Sequence, residues 1–399
     1  MATVLGALDV GTQTTRLAVG EYVKDELRIL ACTTTPTSGM KKGIIRNLDD
    51  VVKGIKTVLR EMSKAHHIDI SEVMVNFSSA GVKAVSRRGR LSLMQGHVIT
   101  EEDIRDAEEN AIADEAPDAA EVVLQRLRQR YEVNGQPVTN PLGMTGTELV
   151  AKVLEVSAPR SEVESLHTAV RMAELRTEDV IFSGFASAES VLDNKARDDG
   201  TLVIDVGAGT VSYMAVCNGI VAAVGTIGIG GHNLTNDLAL AFQISQEQAE
   251  AMKLARGAAI IQPDLASNRY QLRTPFSTSE RSVSVHAIQT VTTERMDETF
   301  RLIRDQLSAN DLLSYLRGSV ILTGGSAALP DIAKCASERL GLPCTLGTPL
   351  VSLPKPAIMQ EEPFCYATVL GLLKWRIRYN RQSSTRASYW SRVWNFLKG

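Results

Sequence analysis

Alternating apolar and polar positions open the chain. VLGALDVGTQTTRLAVGEY reads as a strand, a polar tight turn and a second strand, because runs rich in Val, Leu and Ala flank a Gly/Thr cluster. LDDVVKGIKTVLREMSKA then places Val51, Val52, Ile55, Val58, Leu59 and Met62 at spacings of three and four, which predicts a helix. Strand-like stretches occupy 73–93 and 149–157. TEEDIRDAEENAIADEA and RSEVESLHTAVRMAEL read as helices, the first with Thr100 as N-cap and acids in its first turn. From residue 200 the opening pattern returns: TLVIDVGAGTVSYMAV is again strand, Gly-rich turn and strand, with Asp205 standing where Asp9 stood, an internal repeat. Helical segments are expected at 232–257 and 286–316. VILTGGSAALP reads as a strand ending in a Gly-Gly turn, FCYATVLGLLKW as an apolar helix, and residues 379–387 (YNRQSSTRA) as a polar linker.

Composition narrows the class. The 399 residues are 44% hydrophobic and 22% charged, the ordinary globular mix, which argues against a disordered, collagenous or membrane-embedded chain and predicts two or three folding units. Five scattered cysteines without a CxxC pair fit a reducing compartment rather than a disulfide framework or zinc site. No secretory signal or spanning segment is expected. The chain has 43 basic and 46 acidic residues, yet every charged residue after Glu362 is basic, so an acidic body precedes a basic tail. Ten acids and one Arg lie between Glu101 and Glu121, a partner-binding patch or simply a solvated helix face.

The repeated turns carry the candidate chemistry. Asp9-Val10-Gly11-Thr12-Gln13-Thr14 and Asp205-Val206-Gly207-Ala208-Gly209-Thr210 suit phosphate. Glycines let the backbone approach an anion, turn amides and hydroxyls donate to its oxygens, and the carboxylates of Asp9 and Asp205 can hold a hydrated Mg²⁺. Arg16 adds a fixed cation. A third turn, Thr323-Gly324-Gly325-Ser326, leaves room for a planar base, and Gly228 to Gly231 open a helix whose N-terminus favours anions.

All three tryptophans, Trp375, Trp390 and Trp394, fall in the last 25 residues. Plotted at 100° per residue, 388–399 puts Tyr389, Trp390, Val393, Trp394, Phe396 and Leu397 on one side and Ser388, Ser391, Arg392, Asn395 and Lys398 on the other. A helix of roughly 18 Å is too short to span a bilayer. Trp, Phe and Leu facing Arg and Lys form an interfacial anchor for anionic lipid; the alternative is a terminal helix docked on the protein body.

Three glycine turns in this order resemble the actin, sugar-kinase and heat-shock-ATPase superfold. SGFASAESVL, IGIGGHNLTNDLALAF, SQEQAEAMKLARGAA, SGMKKGIIRNLDDVVKGI and NPLGMTGTELVAKVLEVSAPRSEVESL are similar to the FtsA family of bacterial cell-division actin homologues, over nearly the whole chain. The resemblance implies an α/β, actin-like duplicated ribonuclease-H-type fold, two lobes around a nucleotide cleft, with an FtsA-type subdomain 1C replacing actin subdomain 1B. It implies subdomain 1A over 1–82, 169–198 and 345–378, and 1C over 83–168. Subdomain 2A would take 199–230 and 308–344, and 2B 231–280 with a contribution from 281–307, before the linker 379–387 and the helix 388–399.

It further implies ATP and Mg²⁺ bound by Asp9, Gly11, Thr12, Gln13, Thr14, Arg16, Asp205, Gly207, Ala208, Gly209, Thr210, Gly230, Gly231, Gly324, Gly325 and Ser326, with Glu250 and Lys253 near the ribose unless they merely belong to a solvated helix face. Two departures make turnover weak or absent. Ser183 stands where relatives have an acidic or amide residue that positions water, and Val211-Ser212-Tyr213 replaces a Thr-Thr-Asp ending. The family role is a self-polymerising adaptor on the cytoplasmic side of the inner membrane at the division septum. It binds the C-terminal peptide of FtsZ, with Arg295, Arg301 and Arg304 as candidate receivers of its acids, and later division proteins through 1C, without nucleic acid. The competing readings are a pilus-assembly actin-like adaptor and a small-molecule kinase of the same superfold.

Overall fold

The computed structural model describes residues 3–23, 26–113, 118–265, 267–272, 281–309, 312–351 and 362–384. The chain runs β1 (Thr3–Val10), β2 (Thr14–Val23), β3 (Glu26–Pro36), β4 (Met40–Lys41), β5 (Ile44–Ile45), α1 (Leu48–His66) and β6 (Glu72–Phe77). There follow β7 (Lys83–Ser92), α2 (Glu101–Ala113), β8 (Glu121–Val133), β9 (Gln136–Val138), β10 (Glu148–Pro159), α3 (Arg160–Met172), β11 (Arg176–Phe182), α4 (Ser183–Val191) and α5 (Asn194–Asp199). The second half comprises β12 (Thr201–Val206), β13 (Val211–Cys217), β14 (Ile220–Ile227), α6 (Gly231–Phe242), α7 (Gln246–Arg256), β15 (Arg269–Leu272), β16 (Arg281–Ser284), α8 (Val285–Ser308), β17 (Val320–Thr323), α9 (Ile332–Leu340), β18 (Cys344–Leu346) and α10 (Ala367–Ser384).

The repeat seen in the sequence is a repeat of topology. One sheet has the order β3-β2-β1-β6-β11 and the other β14-β13-β12-β17-β18. In both, the first strand pairs antiparallel with its hairpin partner and parallel with the strand that follows the intervening segment. Each sheet is a layer of its own lobe, and buried Val, Leu and Ile side chains on its central strands form that lobe's core. Helix α4 packs against both sheets and α10 against α4 and the first: Phe185 and Leu370 join the first core, and Phe182 meets Phe185 edge-on at 5.4 Å.

Between the halves of the first lobe sits an insert with its own sheet, β7-β10-β8-β9, covered by α2. Ile104, Ala107, Tyr131, Leu149 and Ala151 make its small core. Strand β8 is absent from the pattern-based reading, and two register shifts against β10 explain why its alternation is broken. The start of α2 is fixed as expected from Thr100, whose Oγ1 accepts the Asp103 amide at 3.3 Å. The Asp103 carboxylate in turn accepts from the Thr100 amide and hydroxyl at 2.8 and 2.7 Å and meets His97 Nε2 at 2.8 Å.

Burial alone would raise the Asp103 pKa, but these bonds hold it at about 2 against an ordinary 3.8. A carboxyl lowered in the fold stabilises α2 fully above pH 3.8 and loses that contribution as pH falls toward 2. Asp103→Asn is therefore expected to weaken hydrogen-exchange protection of the α2 amides by about 1 kcal/mol at pH 6. The gap from wild type should close between pH 4 and 2.5; a gap independent of pH would exclude the carboxylate as its source.

Three expected segments differ from the structure, the first being 286–316, where α8 ends at Ser308. The 232–257 stretch is split into α6 and α7, because Gln243 is left-handed (φ 53°) and Ser245 starts a new helix by accepting the Gln248 amide at 3.2 Å. Helix α10 continues to Ser384, so most of the expected linker 379–387 is helical. No Gly or Pro follows Gly371 within α10, and Arg and Gln are good helix formers, so polarity alone does not end it. The anchor segment 388–399 lies outside the described residues, and among these no helix is long and apolar enough to cross a membrane.

Candidate functional site

The two hairpin turns are built alike. Gly11 N donates to Thr14 O and Gly207 N to Thr210 O, each at 3.0 Å. Register places Asp9 opposite Arg16 in one hairpin and Asp205 opposite Ser212 in the other. The turns meet at the seam between lobes: a Cβ on Gly209 would fall 2.3 Å from Thr12 Oγ1, so only glycine permits this approach. Gln13 Oε1 meets the His232 ring Nε2 across the same seam. Burial and the Lys253 charge lower the His232 pKa, which keeps the imidazole neutral near pH 7.

The two carboxylates sit deep. Asp9 pairs with Arg16 at 3.9 Å, and the Arg16 guanidinium lies 5.5 Å from the Tyr366 ring centre. Asp205 Oδ2 accepts from Ser187 Oγ of α4 at 2.5 Å and from Thr368 Oγ1 of α10 at 2.9 Å. Burial raises the Asp205 pKa against these bonds and the Arg16 charge. The third turn closes on the same group: Gly324 has φ 88°, and a Cβ there would lie 2.2 Å from Asp205 Oδ1. Gly325 faces open space, while Ser326 Oγ donates to Gly207 O at 2.9 Å.

The N-terminus of α6 does not offer the free amides expected of Gly230 and Gly231. Gly231 N donates to Gly207 O at 3.0 Å, His232 N to Ala208 O at 2.8 Å, and Gly230 N to Asn233 Oδ1 at 3.1 Å. These glycines bind the second turn to the helix instead. Glu250 and Lys253 are half-buried against that helix rather than on a solvated face. Lys253 Nζ donates to Glu250 at 2.7 Å, to Thr235 Oγ1 at 3.0 Å and to Gly231 O at 3.3 Å. Burial would raise the Glu250 pKa, but the Lys253 and Thr235 bonds hold it below the ordinary value.

Ser183 is buried, donates to Phe77 O at 3.1 Å and accepts from Asn76 Nδ2 at 3.2 Å. Asn76 Oδ1 accepts the Val10 amide at 2.8 Å, so Asn76 ties the first hairpin to Ser183. Ser78 Oγ lies 2.9 Å from Thr210 Oγ1 and 2.8 Å from Ser212 Oγ, a hydroxyl bridge between lobes, while Tyr213 turns away to Gln306 of α8 at 2.9 Å. Sequence reasoning missed Asn76, Ser78, Ser187, His232 and Thr368. Asn76 had a visible signal, a polar residue inside the apolar run of β6. Arg295, Arg301 and Arg304 lie away from the seam on α8. Each meets acids of its own chain: Asp237 at 2.6 Å, Asp297 at 2.8 Å and Asp305 at 3.6 Å respectively.

Two matched sheets with hairpin turns facing across a seam, and an inserted sheet in the first half, define the actin-like duplicated fold. A solved PilM-PilN type IV pilus biogenesis complex shares it at TM-score 0.67, with 17% identity over 93% of this chain and 98% of that one. MreB5 of Spiroplasma citri bound to ADP shares it at TM-score 0.54, with 14% identity over 94% and 98%. The chain belongs to the FtsA family of cell division proteins. Residues 202–371 match the family model for cell division protein FtsA, and residues 79–157 match the SHS2 domain inserted in FtsA. Cell division protein FtsA of Pseudomonas aeruginosa is 28% identical over 373 residues, 93% of this chain and 88% of its own length.

Proposed function

We propose that this chain binds ATP at the lobe seam, assembles with copies of itself and ties FtsZ to the inner membrane at the septum. The observation that carries nucleotide binding is the pair of facing turns, each with an Asp at its strand end, in a member of a cell-division family whose fold neighbour binds ADP. Turn amides and the hydroxyls of Thr12, Thr14 and Thr210 supply donors for phosphate, and Gly325 leaves space beside a base.

Mg²⁺ fits as a phosphate-held, hydrated ion. Among the described residues no group of three or more His, Cys, Asp or Glu could cage a metal, and Asp205 Oδ2 is already taken by two hydroxyls. Asp9 and Asp205 would hold it through water, and the ion would neutralise phosphate charge. Ser183 offers a neutral hydroxyl, already engaged by Asn76 and Phe77, so it supplies no base for water attack. The same lack weakens the kinase reading.

The acids of the FtsZ peptide would compete with Asp237, Asp297 and Asp305 for the α8 arginines, and the insert would meet later division proteins. Calorimetric titration of the full chain with ATP and Mg²⁺, followed by phosphate release on the same sample, tests the reading. Saturable binding with release well below about one per second is expected. Release at that rate or faster restores the enzyme, and no binding makes the hairpins relics of the fold.

A further inference from the structure

Resting on the nucleotide reading above, we propose that Lys42, on the short loop between β4 and β5, is the phosphate-binding cation that reaches across the lobe seam. The loop is built into the mouth of the seam. Gly43 N donates to Thr12 Oγ1 at 3.1 Å, and a Cβ on Gly43 would lie 1.8 Å from Ser78 O. This places Lys42, a first-lobe residue, against two second-lobe glycines. Its Cα lies 3.0 Å from a Cβ built on Gly209 of the second turn, and its Cδ lies 3.9 Å from one built on Gly228. Lys42 holds a left-handed backbone (φ 52°) between Gly39 and Gly43, both also at positive φ. Such a conformation in a bulky residue persists where the surroundings fix it, and it clusters at sites that hold ligands.

Charge gives the loop its purpose. The other cations around the turns are committed: Arg16 to Asp9 and the Tyr366 ring, and Lys253 to Glu250 and Thr235, while His232 is neutral. Two carboxylates, Asp9 and Asp205, face the same seam, so a polyphosphate entering there needs a cation not already neutralised. The Lys42 side chain is exposed and, among the described residues, enters no hydrogen bond or ion pair. Its stem runs from Gly209 toward Gly228, along the second-lobe side of the seam, within reach of a phosphate held at the second turn.

The test compares ATP affinity of the full chain carrying Lys42→Gln or Lys42→Arg with wild type, each at two ionic strengths. Gln keeps the stem and the backbone demand but removes the charge. Lys42→Gln is expected to weaken ATP binding at least tenfold and to flatten its salt dependence, with Arg restoring most of both. Wild-type-like ATP affinity in Lys42→Gln, or equal loss in Gln and Arg with an unchanged salt dependence, would overturn the assignment. Failure of the wild-type chain to bind ATP would overturn the nucleotide reading as well, so the two failures are distinguishable.

Discussion

Gly371→Ala is expected to destabilise the chain by about 3 kcal/mol and to abolish whatever the seam binds. A Cβ on Gly371 of α10 would lie 1.6 Å from the Ala186 carbonyl oxygen and 2.4 Å from its carbon, both backbone of α4. A backbone neighbour cannot rotate away as a side chain would, so the helices must separate. Alanine gains roughly 1 kcal/mol of helix propensity over glycine, and that is the smaller effect here. Separation would also loosen the fully buried Leu370, Leu372 and Leu373. Thr368 lies less than one turn before Gly371, and Ser187 directly follows Ala186; together they hold Asp205, so the same wedge draws both donors off the seam carboxylate. Denaturant midpoints of Gly371→Ala and Gly325→Ala decide the matter, since a Cβ at Gly325 meets nothing within 4 Å. Equal midpoints for both variants would contradict close α4–α10 packing as the cause.

How far such a site can be read without coordinates depends on the distance between its partners along the chain. The duplicated turns were legible because each lies inside one hairpin, where strand, Asp, Gly and Thr follow a fixed local order. Thr100 was legible for the same reason, its partner Asp103 being three residues away. The hold on Asp205 was not, because Thr368 is 163 residues distant and the bond depends on how α10 crosses β12. Composition could not show that the α6 amides are spent on Gly207 and Ala208, since GIGG predicts a helix N-terminus but not what has already docked there. In β8 the long arginines and the two register shifts hid the alternation that would have marked a strand. The end of α10 differs from the polar pattern of 379–387 because helix propensity and the absence of a breaker, not polarity, set where the helix stops.

Replacing Trp390 and Trp394 together by Glu is expected to reduce binding of the full chain to anionic vesicles by more than a hundredfold. Each tryptophan on the apolar side of 388–399 contributes about 2 kcal/mol or more when buried in the interface, and each Glu adds repulsion from anionic lipid. Arg392 and Lys398 contribute about 1 kcal/mol each and cannot carry binding alone. Co-sedimentation with vesicles containing anionic lipid reads the effect, and retained sedimentation of the double variant would mean that the apolar side docks on the protein body instead. The extent of α10 sharpens the expectation. With the helix running to Ser384, residues 385–387 alone separate it from the anchor, a reach of roughly 10–15 Å in place of the roughly 30 Å of nine extended residues. On the anchor reading, so short a lead would hold the C-terminal end of α10 near the bilayer, with Thr368 about 24 Å further along the helix. Copies aligned in a filament would then present their anchors in one row, and weak single helices would add by avidity. Inserting nine Gly/Ser residues after Ala387 should leave single-copy binding unchanged while weakening filament binding, because a longer, flexible lead lowers the effective concentration of each neighbouring anchor.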